Sequence, residues 1–186
     1  LLGAHSSKSV DELATIIFSS GSTGDPKGVM LSHHNIYSNL DGMAQVFAIS
    51  GQDRILGVLP FFHSFGFTGT LWFPLAKGMG AIYHPNPLDA RTIGAMAGRY
   101  HATILLATPT FLQSYTRRCN PEDFGSLQFV MVGAEKLTDR VAIAFEEKFG
   151  IRPMEGYGCT ECSPIVSVNV RDFRAAGFYQ VGQKRG

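Results

Sequence analysis

The run Ser19-Ser20-Gly21-Ser22-Thr23-Gly24-Asp25-Pro26-Lys27-Gly28 gathers three glycines, four hydroxyl side chains and a lysine into one turn-forming stretch. Glycine lets backbone N–H groups approach an anion closely and admits positive φ. Hydroxyls donate hydrogen bonds to phosphate oxygens, and a lysine adds a point charge. Apolar segments at 13–18 and 29–31 flank the run and read as short strands. A hydroxyl-rich glycine turn between strands reads as a polyphosphate cradle, which points to nucleotide chemistry. It is not a Walker A loop, because no Ser or Thr follows Lys27 and Pro26 and Gly28 oppose a helix start there. It is not a kinase-type loop either, since Gly-x-Gly-x-x-Gly is absent from the run. A flexible Ser/Gly linker is the bland alternative, and Pro26-Lys27-Gly28 between two strands is unlike one.

A second candidate is Glu155-Gly156-Tyr157-Gly158-Cys159-Thr160-Glu161, read as a glycine-rich loop. A tyrosine framed by glycines can stack on a purine, and Thr160 can bind phosphate. Glu161 can ligate Mg²⁺, a hard cation that prefers carboxylate, water and phosphate oxygens. The competing reading is a tight turn with Tyr157 facing the core. His63 lies among Phe61, Phe62, Phe65 and Phe67, where a histidine is more often structural than functional. Most of the rings in 61–73 read as core, with an acyl pocket as the sharper alternative. His33 and His34 are expected to support the helix that follows the first glycine run, and His5, His84 and His101 to be incidental. Cys159-x-x-Cys162 lacks the further ligands a zinc site needs. A thioredoxin-like pair would open a helix, whereas Cys159 falls inside the glycine segment.

The elements that must position these residues alternate along the chain. Ser32 is suited to cap a helix over 34–47, and 54–59 is a β-rich run ending at Pro60. A buried helix is expected over 65–75 and a strand over 80–83. Asp89 is suited to cap a helix over 91–99, and 103–106 reads as a strand. Pro109 opens a helix to about residue 117. A strand follows over 129–132, and Thr138 caps a helix over 140–149. Such alternation predicts an α/β fold, a layered and largely parallel sheet flanked by helices. Ligands in such folds bind off the carboxyl ends of the strands, so the two glycine segments could share one crevice.

Composition narrows the function classes. The chain has 186 residues, 45% hydrophobic and 17% charged, enough for one globular domain with a real core. A net charge of +1 gives no basic footprint for a nucleic-acid partner. No apolar run approaches the length of a membrane span, and no signal peptide is visible. Three cysteines in a cysteine-poor chain suit a reducing, cytoplasmic compartment.

Four stretches taken together resemble the adenylate-forming, AMP-binding enzyme superfamily of acyl-CoA synthetases, luciferases and related adenylation domains. They are Ser19–Gly28, Pro60-Phe61-Phe62-His63-Ser64-Phe65-Gly66, Gly133-Ala134-Glu135-Lys136-Leu137 and Gly156-Tyr157-Gly158-Cys159-Thr160-Glu161, in the superfamily's order. The stretches 120–124, 133–137 and 155–169 resemble more narrowly the acyl-acyl-carrier-protein synthetase part of bifunctional Aas-type 2-acylglycerophosphoethanolamine acyltransferases.

The resemblance implies a two-step reaction. A fatty acid carboxylate attacks ATP to give acyl-adenylate and pyrophosphate. A phosphopantetheine thiol of acyl carrier protein or CoA then takes the acyl group and AMP leaves. Ser19, Ser20, Gly21, Ser22, Thr23, Gly24 and Lys27 would cradle the β- and γ-phosphates, and Thr160 would contact the α-phosphate. Glu161 would hold Mg²⁺. Gly133, Ala134 and Glu135, with Gly156, Tyr157 and Gly158, would frame adenine. His63 would orient the carboxylate against the nucleotide. The resemblance also implies that residues 1–186 are part of a large N-terminal adenylation domain. A C-terminal lid domain and any acyltransferase domain would lie outside the chain, and the chain alone would be inactive. Membrane contact at the inner face would belong to those outside regions. Another adenylating ligase and a non-catalytic nucleotide-binding module are the alternatives.

Overall fold

The computed structural model describes residues 9–20, 24–47 and 49–169. Five short strands form a parallel sheet: β3 (Arg54–Gly57), β4 (Gly80–Tyr83), β5 (Ile104–Ala107), β6 (Phe129–Val132) and β7 (Met154–Gly158). A sixth strand, β8 (Ile165–Val168), pairs antiparallel with β7 and completes the order β4-β3-β5-β6-β7-β8. Near-continuous apolar runs such as Ile104-Leu105-Leu106-Ala107 mark strands covered on both faces. Successive side chains alternate sides. Ile55, Ile104, Leu106 and Met131 enter one core layer, while Leu56, Leu105, Val130 and Val132 enter the other.

The first layer is closed by Ile36, Leu40 and Met43 of α1 (His33–Val46) and by Phe73 of a later helix, α3 (Phe73–Lys77). The second is closed by α4 (Ala90–Arg99), α5 (Pro109–Arg118) and α6 (Asp139–Phe149) through Ile93, Leu112 and Phe145, each fully buried. The α/β class expected from the sequence is the fold observed.

Helix starts follow the expected chemistry. The Ser32 hydroxyl accepts from Asn35 N (3.2 Å) while Asn35 Oδ1 accepts from Ser32 N (2.9 Å), a reciprocal cap for α1. Asp89 accepts from Thr92 N at the start of α4, and Thr108 accepts from Phe111 N with Pro109 in the first turn of α5. Thr138 precedes α6 without a side-chain bond of this kind.

One reading is refined and one corrected. The segments flanking the first glycine run are strands, as expected, and lie outside the parallel sheet. They are longer than expected, β1 (Leu13–Ser20) and β2 (Pro26–Ser32), and pair with each other as an antiparallel hairpin in a sheet of their own. A turn as short as theirs joins antiparallel neighbours, whereas parallel strands need a long crossover. The second glycine segment is not a loop. Gly156, Tyr157 and Gly158 are the last residues of β7, and only at Thr160–Cys162 does the chain turn, as a 3₁₀ helix.

The aromatic stretch is helical from Ser64 to Lys77. It consists of α2 (Ser64–Gly66), a π-helical segment (Phe67–Trp72) and α3. Its rings are not uniformly core: Phe73 is buried, while Phe61, Phe62 and Trp72 are exposed.

Candidate functional site

β4 lies on one side of β3 and β5 on the other, so the strand order reverses at β3. In open α/β sheets the crevice outside the carboxyl ends of the strands, at such a reversal, receives ligands. A cavity of about 370 Å³ lies there. Its walls are the residues just beyond four parallel strands: Leu59 and Pro60 after β3, Thr108 after β5, Gly133 and Ala134 after β6, and Gly156–Thr160 at the end of β7. His63, Ser64, Phe65 and Gly66 close it from the start of α2.

Local structure fixes each wall. Gly66 has no room for a Cβ, which would fall 2.2 Å from the Pro60 carbonyl oxygen, so α2 can begin tight against the chain leaving β3. His63 is the residue that precedes α2, and it is exposed beside the Phe62 ring, 4.5 Å between centroids. The structural reading of His63 as a core histidine therefore fails. Ala134 holds a left-handed φ of 66°, a conformation that costs a non-glycine residue about 1 kcal/mol or more. Glu155 secures that turn from the neighbouring strand, its Oε1 accepting from Leu137 N at 2.8 Å. Tyr157 is 66% exposed, so it does not face the core. Beyond it the chain folds back so closely that a Cβ on Gly158 would fall 2.2 Å from the Pro164 carbonyl oxygen. Cys159 N donates to that same oxygen at 2.9 Å.

The cavity is chemically divided. Leu59, Phe65, Phe111, Met131 and Ile165 make an apolar part. His63, Ser64 and Thr160 supply polar groups, and the Ser64 and Thr160 hydroxyls lie 3.2 Å apart across the rim. Glu161 is exposed and faces an adjoining polar cleft of about 320 Å³, lined also by His34, Asn35, Ser38, Asn39, Cys162 and Ser163. Cys159 and Cys162 bracket Thr160 and Glu161 as free thiols, and Cys162 is pushed above the usual thiol range chiefly by a hydrogen bond with Cys159. Cys159 immediately precedes the 3₁₀ turn, a helix start after all, though of a single turn. Among the described residues no group of three or more His, Cys, Asp or Glu could hold a metal ion.

Several of the residues singled out from sequence thus converge: His63, Gly133, Ala134, Gly156, Tyr157, Gly158 and Thr160 line one cavity. Glu135 does not line it, because its carboxylate accepts from the backbone and hydroxyl of Thr110 (3.2 and 2.7 Å) at the start of α5. Ser19, Ser20, Gly24 and Lys27 sit on the separate hairpin, and Gly21, Ser22 and Thr23 lie outside the described residues. Ser19 is directly opposite Lys27, so the two side chains share a face. By the two-residue alternation it is the face on which Ile17 and Leu31 are buried in the core, while Ile16, Phe18 and Met30 point out. β2 also packs on the Thr160–Cys162 turn. His33 and His34 open α1 as expected. His84 lies away from the cavity, its Nε2 3.3 Å from Asp89 Oδ2 but without a hydrogen-bond partner among the described residues. Sequence reasoning assigned no role to Ser64, Glu155 or Asn39. Only Asn39 carries a signal of its own, a polar residue at helical spacing among Ile36, Leu40 and Met43.

The donor set suits a nucleotide and an apolar acid. Flat glycine-framed walls beside Tyr157 suit a base, the two hydroxyls suit phosphate oxygens, and the apolar part suits a hydrocarbon. Glu161 offers one exposed carboxylate, and a Mg²⁺ site takes one or two protein carboxylates, the rest being water and phosphate oxygens. No helix among the described residues is long and apolar enough to cross a membrane.

The AMP-binding enzyme family matches residues 3–184. The chain is 31% identical over 166 residues to a long-chain-fatty-acid–CoA ligase of Bacillus subtilis (strain 168), covering 85% of this chain and 29% of that protein. It is 33% identical over 163 residues to 4-coumarate–CoA ligase-like 9 of Oryza sativa subsp. japonica, again covering 83% of this chain and 29% of the relative. Among solved structures, apo MatB from Rhodopseudomonas palustris superposes with a TM-score of 0.81 at 27% identity, over 91% of this chain and 33% of that one. ATP-bound MatB from Rhodopseudomonas palustris gives 0.80 at 29% identity, over 89% and 32%. The chain spans under a third of the length of the curated relatives it matches. With the family matching nearly from end to end and the crevice at the strand ends built as described, the chain belongs to the AMP-binding enzyme family.

Proposed function

We propose that the protein carrying this chain activates a fatty acid with ATP, forming an acyl-adenylate, and passes the acyl group to a phosphopantetheine thiol. The observation that carries this reading is the convergence of His63, Ser64, Thr160, Gly133–Ala134 and Tyr157 on one cavity whose remaining wall is apolar.

In the first step a carboxylate oxygen attacks the α-phosphorus of ATP and pyrophosphate leaves. Both reactants are anions, so alignment and charge neutralisation account for most of the barrier. Thr160 donates to the α-phosphate, and His63 orients the carboxylate at the mouth of the apolar part. Tyr157 stacks on adenine opposite the Gly133–Ala134 turn. Lys27 and the hydroxyls of residues 19–23, with Gly24, hold the departing phosphates. Glu161 would hold Mg²⁺, which when bound offsets phosphate charge. In the second step the thiol attacks the acyl carbonyl and AMP leaves, and no covalent protein nucleophile is required.

The thiol acceptor is CoA or the phosphopantetheine arm of acyl carrier protein. The two curated relatives named above are described as CoA ligases, while the stretches at 120–124, 133–137 and 155–169 support the carrier-protein reading and, with it, a fused acyltransferase. We also propose that the chain supplies part of an adenylation domain, so that the 186-residue polypeptide alone gives no turnover. The relatives' greater length supports this.

The test is acid-dependent exchange of labelled pyrophosphate into ATP by the whole protein. Fatty acids should drive exchange, and 4-coumarate and malonate should not. CoA or holo-carrier protein, supplied in turn, should then release AMP and identify the acceptor. Exchange driven only by an aryl or dicarboxylic acid would replace the fatty acid. Binding of Mg·ATP with no exchange for any acid would favour a non-catalytic module.

A further inference from the structure

The inner stripe of α1 contains one residue that does not belong to a core. Ile36, Leu40 and Met43 are buried at 7%, 3% and 3% exposure, and Asn39 falls between them at helical spacing. Asparagine is a poor residue for a helix interior. Half-burying its amide is unfavourable unless every polar atom finds a partner. Here each does. Nδ2 donates to the carbonyl oxygens of Cys162 (3.2 Å) and Ile165 (2.7 Å), and Oδ1 accepts from the backbone N–H of Ile165 (3.3 Å). The partners lie more than 120 residues away in the chain, at the end of the 3₁₀ turn and the first residue of β8.

This amide therefore spans the segment 162–165, immediately beyond Thr160 and Glu161. Its own helix begins one residue after β2 ends, with Ser32 the last residue of β2 and the cap of α1. α1 is thus a direct extension of the hairpin strand that carries Lys27. The Asn39 side chain also lines the polar cleft into which Glu161 faces.

We propose that Asn39 is a positioning residue that sets the Thr160–Glu161 turn at a fixed distance from the Lys27 strand, and so couples the two halves of the triphosphate grip. The inference rests on the adenylation reading given above. Asn39 touches no substrate. It acts through the backbone of Cys162 and Ile165, and its loss would leave Thr160 and Glu161 present but free to shift. A leucine at 39 would complete the apolar stripe and strengthen the helix, so the asparagine stands at a site where core packing alone favours another residue.

The whole protein carrying Asn39→Asp or Asn39→Leu tests this. Asp keeps the volume and an acceptor for Ile165 N but loses both donors and sets a carboxylate against two carbonyl oxygens. Both variants should weaken Mg·ATP, as Kd and as KM in pyrophosphate exchange, by about tenfold. KM for the fatty acid and the rate of thiol transfer from supplied acyl-adenylate should stay within about twofold. The melting temperature of the Leu variant should not fall. Loss of stability together with equal changes in every kinetic constant would make Asn39 merely structural and overturn the proposal. An unchanged Kd for Mg·ATP in the Asp variant would overturn it too. A wild-type protein that binds Mg·ATP but catalyses no exchange would sink the reaction, while the Kd comparison would still decide the role of Asn39.

Discussion

The two glycine-bearing segments are supported in opposite ways. Gly156–Gly158 ends an interior strand, with β6 on one side and β8 on the other, and at Gly158 the backbone packs against Pro164 with no space for a side chain. Ser19, Ser20 and residues 24–28 belong to a hairpin in its own two-stranded sheet, with Ile16, Phe18 and Met30 exposed and nothing within 4 Å of the space a Cβ on Gly24 would fill. The first is a wall that cannot move without breaking the sheet. The second is a hairpin whose register is set by one partner strand, anchored on its inner face through Ile17 and Leu31. In the proposed reaction adenine and the α-phosphate must be held still for in-line attack, whereas the pyrophosphate end must be gripped and then released. A rigid wall beside a simple hairpin suits that division of labour.

Charge removal should show the largest effects, and in activity alone. Glu161→Gln and Lys27→Met, one on each segment, should each lower pyrophosphate exchange by roughly 10²-fold or more. Both side chains belong to exposed residues, so denaturation midpoints should stay near wild type. Equal loss in both would place the two segments in one step, and loss in Glu161→Gln alone would separate them.

Next, the glycines should respond unequally. Gly158→Ala meets backbone and should cost about 3 kcal/mol of stability, together with most of the activity. Gly24→Ala meets no atom but keeps a φ of +93°, and should cost about 1 kcal/mol. Urea unfolding of both variants measures the difference, and equal costs would erase the contrast between wall and hairpin.

A smaller effect is expected at the rim. Ser64→Ala removes one partner of the Thr160 hydroxyl and should lower exchange by about tenfold or less, because Thr160 remains to donate. The smallest is chemical. Cys119 is buried and its thiol is pushed up to about 11, mainly by burial. At pH 8 roughly one part in a thousand is thiolate, and the fraction rises tenfold per pH unit up to that value. Alkylation should mark exposed Cys162 first and leave Cys119 untouched until the protein unfolds, as peptide mapping would show.

The fold was legible where local chemistry and hydrophobic period agreed. Ile104–Ala107 and Phe129–Val132 are too uniformly apolar to be anything but covered strands, and Ser32, Asp89 and Pro109 mark helix starts by their own hydrogen-bonding or ring geometry. The site was legible as motifs but not as a surface. Gly156–Gly158 has turn-like composition because glycine is needed for close packing against Pro164 and Met131, a tertiary demand that local propensity does not encode. Glu135 sits inside a family motif, yet its carboxylate caps α5, since Thr110 comes within reach only after β5 and β6 pair. The hairpin's independence from the main sheet was hidden for the same reason. Strand signals show that β1 and β2 exist, not which edges they join.

The central claim is that the crevice at the carboxyl ends of β3, β5, β6 and β7 binds an acyl-adenylate. Hydrogen–deuterium exchange of the whole protein with and without a non-hydrolysable acyl-adenylate mimic tests it most directly. Protection should concentrate at residues 133–134 and 156–161 and at the start of α2 around 63–66, with α4 and α6 unchanged. Protection elsewhere, with the 156–161 segment unaffected by saturating mimic, would contradict the claim.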